Sequence, residues 1–163
     1  MAYALATAAG RATRLGGGEV ALVWPAAAVA VIWLIAVRPS GWRERATHLS
    51  MLAILTFGMN ILTGASPQLS AWFVLVNVTL ALVAFEILTY RREAVVLRDP
   101  ADLARLVVAV AAGTCCAAVL ATAFLATVTG APVWETFALF AVRNGATALL
   151  GVSVWLRLRG LTW

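Results

Sequence analysis

Arg143 and Asn144 stand side by side inside an apolar stretch, and they are the residues of this 163-residue chain best placed to do chemistry. Counted from Val133 along a helix, Arg143 lies about 15 Å in, near the midplane of a bilayer. A guanidinium there costs at least a few kcal/mol unless it faces the protein interior and finds acceptors. Glu86, Glu135, Asn60 and Asn77 are the candidates. A structural ion pair between Glu86 and Arg143 is expected, the other choice for Glu86 being Arg91 or Arg92 at the rim. Trp24, Asn60, Asn77, Arg143 and Asn144 fall at matching depths, so they form the expected ligand-binding set. Such a set combines an apolar wall with a few converging hydrogen-bonding groups. A purely structural reading stands beside it: Trp24 as an interfacial anchor, the asparagines as helix locks, Arg143 as a buried clamp. Glu19, Pro25 and Thr79 belong to the same region, and Pro25 is expected to bend or loosen its helix.

No catalytic motif accompanies these residues. His-Glu-x-x-His, Gly-x-Ser-x-Gly, a Walker loop and paired intramembrane aspartates are all missing from the sequence. His48 and Ser50 sit at i,i+2, which points them apart on a helix. Cys115 and Cys116 are adjacent and read as helix packing. Neither a metal site nor a cofactor is expected, and no enzymatic activity within these residues. Gly113 with Ala109, Ala117 and Cys116 offers a small-residue face that lets helices approach closely.

The elements that must position the polar set are five apolar stretches, Val20 to Val37, Leu49 to Leu62, Ala71 to Tyr90, Leu103 to Val128 and Val133 to Leu156. Crossing about 30 Å of hydrocarbon takes about 20 helical residues. Four stretches satisfy this, and the second does so when extended from Thr47 to Ala65. The chain is 63% hydrophobic and 12% charged, with a mean hydropathy of +0.95, far from the balance of a soluble domain. Sustained period-2 alternation is absent, which excludes a barrel. The predicted fold is an all-α, polytopic helical bundle of about five transmembrane helices, a multi-pass protein of the cell membrane.

All twelve basic residues are arginines. Arg38, Arg43, Arg45, Arg91, Arg92, Arg98, Arg105, Arg157 and Arg159 fall at alternate connections, whereas 66–70 and 129–132 carry no basic residue. By the positive-inside rule the Arg-rich side is cytoplasmic, which puts the N-terminus outside and the C-terminus inside. Arg11 and Arg14 are the two exceptions. No helix face interleaves arginine with aromatics as a nucleic-acid groove would, so no nucleic acid is expected. Residues 1–18 are predicted to be an interfacial segment broken at Gly16-Gly17-Gly18; the rival reading lets Ala2 to Leu15 enter the bilayer as a short or re-entrant segment. Residues 19–159 form the bundle, and 160–163 begin a linker. Asp99-Pro100 with Asp102 reads as a helix start.

The run Gly16 to Val31 with Trp24-Pro25, followed by Arg38-Pro39, resembles the opening of a bacterial membrane-associated sensor family. This is the N-terminal integral membrane sensory domain, membrane-associated sensor 1 type, of diguanylate cyclases and sensor histidine kinases. Asn60 with Gly64, Asn77 with Glu86 and Arg91-Arg92, and Trp134 with Arg143, Asn144 and Gly151 follow the family's order. Two departures stand out: family members carry more spans, and the glycine usual after Trp-Pro-x is Ala27 here. The resemblance implies a sensory domain that relays a signal through its last helix to a cytoplasmic signalling domain in cis beyond Trp163. The implied partners are membrane lipids, a small apolar or amphipathic ligand, and a second copy in a homodimer. The alternatives are a passive membrane anchor and a small transporter-like bundle.

Overall fold

The computed structural model describes residues 1–13, 21 and 23–160. Within them the chain is all helical: α1 (Ala2–Ala12), α2 (Pro25–Val37), α3 (Trp42–Leu62), α4 (Pro67–Thr89), α5 (Pro100–Thr129) and α6 (Val133–Arg159). Arg14, Gly16-Gly17-Gly18, Glu19 and Trp163 lie outside the described residues. Each of the five apolar stretches lies largely on one of the helices α2 to α6. Three of them, α4, α5 and α6, are long and apolar enough to cross a membrane, whereas α2 is apolar but only 13 residues long. The chain is therefore a helical bundle consistent with a multi-pass membrane protein.

Local chemistry sets the helix ends. Ser66 Oγ accepts the amide of Leu69 at 3.2 Å ahead of Pro67, and Asp99 Oδ1 accepts that of Asp102 at 2.9 Å ahead of Pro100. Asp102 returns a bond to the Arg98 amide at 3.0 Å, so two donors outside the helix ladder are satisfied by two carboxylates. Gly130 at φ 69° closes α5 in the left-handed conformation that only glycine adopts freely. Pro25 occupies the first turn of α2 with Trp24 as the N-cap. It opens the helix instead of bending one, because a residue without an amide hydrogen is tolerated there.

The helices α4, α5 and α6 pack in sequence, α2 fits against α4 and α6, and α3 lies along α4. Small residues make the approaches close. A Cβ on Gly113 would stand 2.8 Å from the Leu80 carbonyl, and one on Gly151 would stand 2.5 Å from the Ala28 Cβ. Ala109, Gly113 and Ala117 are buried as expected, but Cys115 and Cys116 are exposed, so Cys116 is not part of that face.

Short-range contacts gather nine arginines at one end. Arg38 bonds the carbonyls of Arg92 and Glu93, Arg45 pairs with Glu86, and Arg105 Nη1 reaches the Tyr90 carbonyl at 2.9 Å. The first helix, α1, packs on α2 and α3, with Tyr3, Thr7 and Arg11 buried. Thr56 donates its own proton to the Leu52 carbonyl, so the 2.6 Å bond between Tyr3 and Thr56 takes its proton from tyrosine. Arg11 Nε meets Thr63 Oγ1 at 3.0 Å. These two contacts run α1 beside the last turns of α3, in the same direction.

Candidate functional site

Two helices and a short piece of irregular backbone build the site. Asn77 lies ten residues beyond Pro67 in α4, and Arg143 ten beyond Val133 in α6. Both are therefore about 15 Å from the end of the bundle opposite the nine arginines. Asn77 Nδ2 donates to the Phe73 carbonyl one turn back, at 2.8 Å, which leaves Oδ1 to accept the indole N–H of Trp24 at 2.9 Å. Trp24 reaches this depth because α2 starts late. Ala21 and Trp24 are buried although neither belongs to a helix. Non-helical backbone at membrane depth is tolerated only where protein covers it and its polar groups find partners.

Arg143 supplies one such partner. Its Nη1 donates to the Ala21 carbonyl at 2.7 Å. The guanidinium carbon lies 4.4 Å from the Phe140 ring centroid and 5.5 Å from that of Trp24. Ring faces attract a desolvated cation by about 2 kcal/mol, which offsets part of its burial cost. Arg143 is 8% exposed and Asn144 1%. Among the described residues no carboxylate lies within ion-pair distance of Arg143. Its Nε and the Asn144 Oδ1 are buried without a hydrogen-bond partner. A buried donor and a buried acceptor are thus open in neighbouring residues, each at a cost of about 1–3 kcal/mol.

Trp24, Asn77, Arg143 and Asn144, four of the five residues expected to bind a ligand, line one small cavity. Ala21, Phe73, Phe140 and Arg11 complete most of the wall, with about 10 Å³ of room for the centre of a water molecule. That is about the least space that holds one water. Asn60 stands apart: it is buried two residues from the end of α3, donates to the Thr56 carbonyl at 2.8 Å, and does not line the cavity. Its depth along α3 falls about 12 Å short of Asn77 and Arg143.

The expected ion pair between Glu86 and Arg143 does not form, because Glu86 pairs with Arg45 of α3. Glu86 lies nine residues beyond Asn77 on α4, about 13 Å nearer the Arg-rich end, which is beyond the reach of an arginine side chain. The Glu86–Arg45 pair is exposed at 47% and 37% and contributes little to stability. The indole of Trp33 donates to His48 Nδ1 at 3.3 Å, so His48 has a packing partner. Among the described residues no group of three or more His, Cys, Asp or Glu is arranged to hold a metal ion.

Two features of the site escaped sequence reasoning. Phe140 sits at i−3 from Arg143 on the same helix face, a spacing that was available to read. The carbonyl of Ala21 carries no side-chain signal at all. No protein-family model, no curated protein and no solved structure matches the chain significantly.

Proposed function

We propose that this chain is a membrane sensory bundle that binds a small apolar or amphipathic ligand at Arg143 and relays the event through α6. On this reading α2 to α6 are the five spans, the Arg-rich end is cytoplasmic, and the receiver is a signalling domain of the diguanylate cyclase or histidine kinase class. The nine arginines gathered at one end support that orientation. The bundle acts by binding and performs no chemistry on its ligand. The observation that carries the reading is the buried guanidinium of Arg143, held by one main-chain carbonyl and two ring faces with its Nε open. A charge so thinly satisfied changes its contacts when a group with an acceptor enters, and a change at Arg143 is a change in α6 itself.

A second reading, a passive anchor without a ligand, is favoured by the cavity size: about 10 Å³ admits a water and nothing larger. Sensing therefore requires that the wall at Ala21 and Trp24 yield. The test is a fusion of a diguanylate cyclase after Trp163, its output measured in membranes with and without added lipid extract. Trp24→Ala and Asn77→Ala should insert normally and lose most of the response. A response equal to that of the unaltered chain in both variants would leave the anchor.

A further inference from the structure

A second cavity opens at the Arg-rich end, with about 670 Å³ of room between the end of α2, the α4–α5 connection and the end of α6. This lies within the range of about 300–1,000 Å³ typical of small-molecule sites. Arg38, Arg98, Arg157 and Arg159 line it, and Glu93 is the carboxylate among the described lining residues. Arg38, Arg98 and Arg157 against Glu93 leave a net +2, without counting Arg159. The carboxyl ends of α2 and α6 face the same end and subtract together about one charge, so about one positive charge remains. Complementing the helix dipoles alone does not account for this excess.

Its construction is asymmetric in depth. Ile35 and Leu156, buried at 4% and 7%, form an apolar floor continuous with the bundle core. Arg98, Arg157 and Arg159 are exposed. Arg38, in the left-handed conformation at φ 48°, ties the connection down through the carbonyls of Arg92 and Glu93, which fixes one wall. Arg159 lies over the Trp155 ring of α6, 5.2 Å from its centroid. A basic mouth above an apolar floor, at the end of two apolar helices, matches a phosphate carried on an acyl glycerol.

We infer that this cleft is a phosphate site, occupied by the headgroup of an anionic glycerophospholipid that lodges between the ends of α2 and α6. Guanidinium groups pair with phosphate oxygens in bidentate geometry, and basic pockets at such helix ends suit anionic headgroups. The inference is independent of the ligand proposed at Arg143.

The test places the purified chain in nanodiscs of phosphatidylcholine alone or with phosphatidylglycerol, and counts retained lipid by native mass spectrometry. Phosphatidylglycerol should be retained by the unaltered chain. The Arg98→Gln/Arg157→Gln pair should weaken retention about thirtyfold, at about fivefold per arginine. Arg43→Gln, at the same end but outside the cleft, should leave retention unchanged. Arg98→Lys/Arg157→Lys keeps both charges and should retain most of the lipid, which separates lost binding from lost folding. Equal losses for Arg43→Gln and the cleft pair would mean diffuse surface attraction and overturn the site. If inorganic phosphate at millimolar concentration displaces the phosphatidylglycerol retained in the mixed discs, the phosphate chemistry is upheld. If it also binds there without competing lipid as tightly as phosphatidylglycerol does, lipid as the source is overturned.

Discussion

Replacing Arg143 by methionine should change stability by less than about 2 kcal/mol in either direction, because large terms cancel. The substitution keeps an unbranched apolar stem and removes the guanidinium with its charge. It loses a charge-assisted bond to the Ala21 carbonyl, about 1.5–3 kcal/mol, and the attraction of the Phe140 and Trp24 rings, about 2 kcal/mol. It recovers the cost of holding a guanidinium at membrane depth, at least about 2.5–3.5 kcal/mol. It also closes the account of the unpartnered Nε. Arg143→Glu incurs the same losses without the recovery and turns a carboxylate toward the Ala21 carbonyl and two negative ring faces, so it should cost about 4 kcal/mol or more. Reversible unfolding in mixed detergent and dodecyl sulfate, followed by tryptophan fluorescence, measures both. Equal damage from methionine and glutamate would refute the reasoning. A loss of about 3–5 kcal/mol for methionine itself would mean that a carboxylate holds Arg143, since that is the cost of breaking a buried pair.

Glu86→Gln should cost less than about 1 kcal/mol by the same unfolding measurement, because its pair with Arg45 is half exposed; a loss above about 3 kcal/mol would restore a buried role for Glu86. Gly151→Ala should destabilise by about 1–3 kcal/mol, since its new Cβ stands 2.5 Å from that of Ala28 and must push α2 from α6. Gly58→Ala, with open space around it, should be neutral or stabilise by up to about 1 kcal/mol.

How much of this was legible depends on what each feature rests on. The helical bundle and the gathering of arginines rest on apolar run length and charge placement, which any sequence displays. The meeting of Asn77 with Arg143 rests on depth alone: both sit ten residues inside helices that start at the same end. Asn60 is buried too, but α3 ends at Leu62, which leaves it about 3 Å from the end of its helix and away from the cavity. Pro25 was misread because the apolar run continues upstream of it to Val20. The run hid a start signal, a proline in the first turn, that marks where α2 begins. The packing of α1 was written in Tyr3, Thr7 and Arg11, one face at i, i+4 and i+8, but eleven residues without a long apolar run do not announce burial.

The late start of α2 joins these particulars. Had residue 25 carried an amide hydrogen and the helix run unbroken from Val20, that amide would have taken the carbonyl of Ala21, and Arg143 would have faced a closed helix. Because the helix begins at Pro25, whose nitrogen carries no proton, Ala21 keeps its carbonyl and Trp24 turns its indole inward to Asn77. The proline that ends one hydrogen-bond ladder thus frees the acceptor that makes a buried arginine tolerable. It leaves that arginine attached to backbone outside the helices. A ligand acting at Arg143 need not bend a helix to be felt. It has only to compete for one main-chain oxygen, and the segment before α2 and the middle of α6 then respond together.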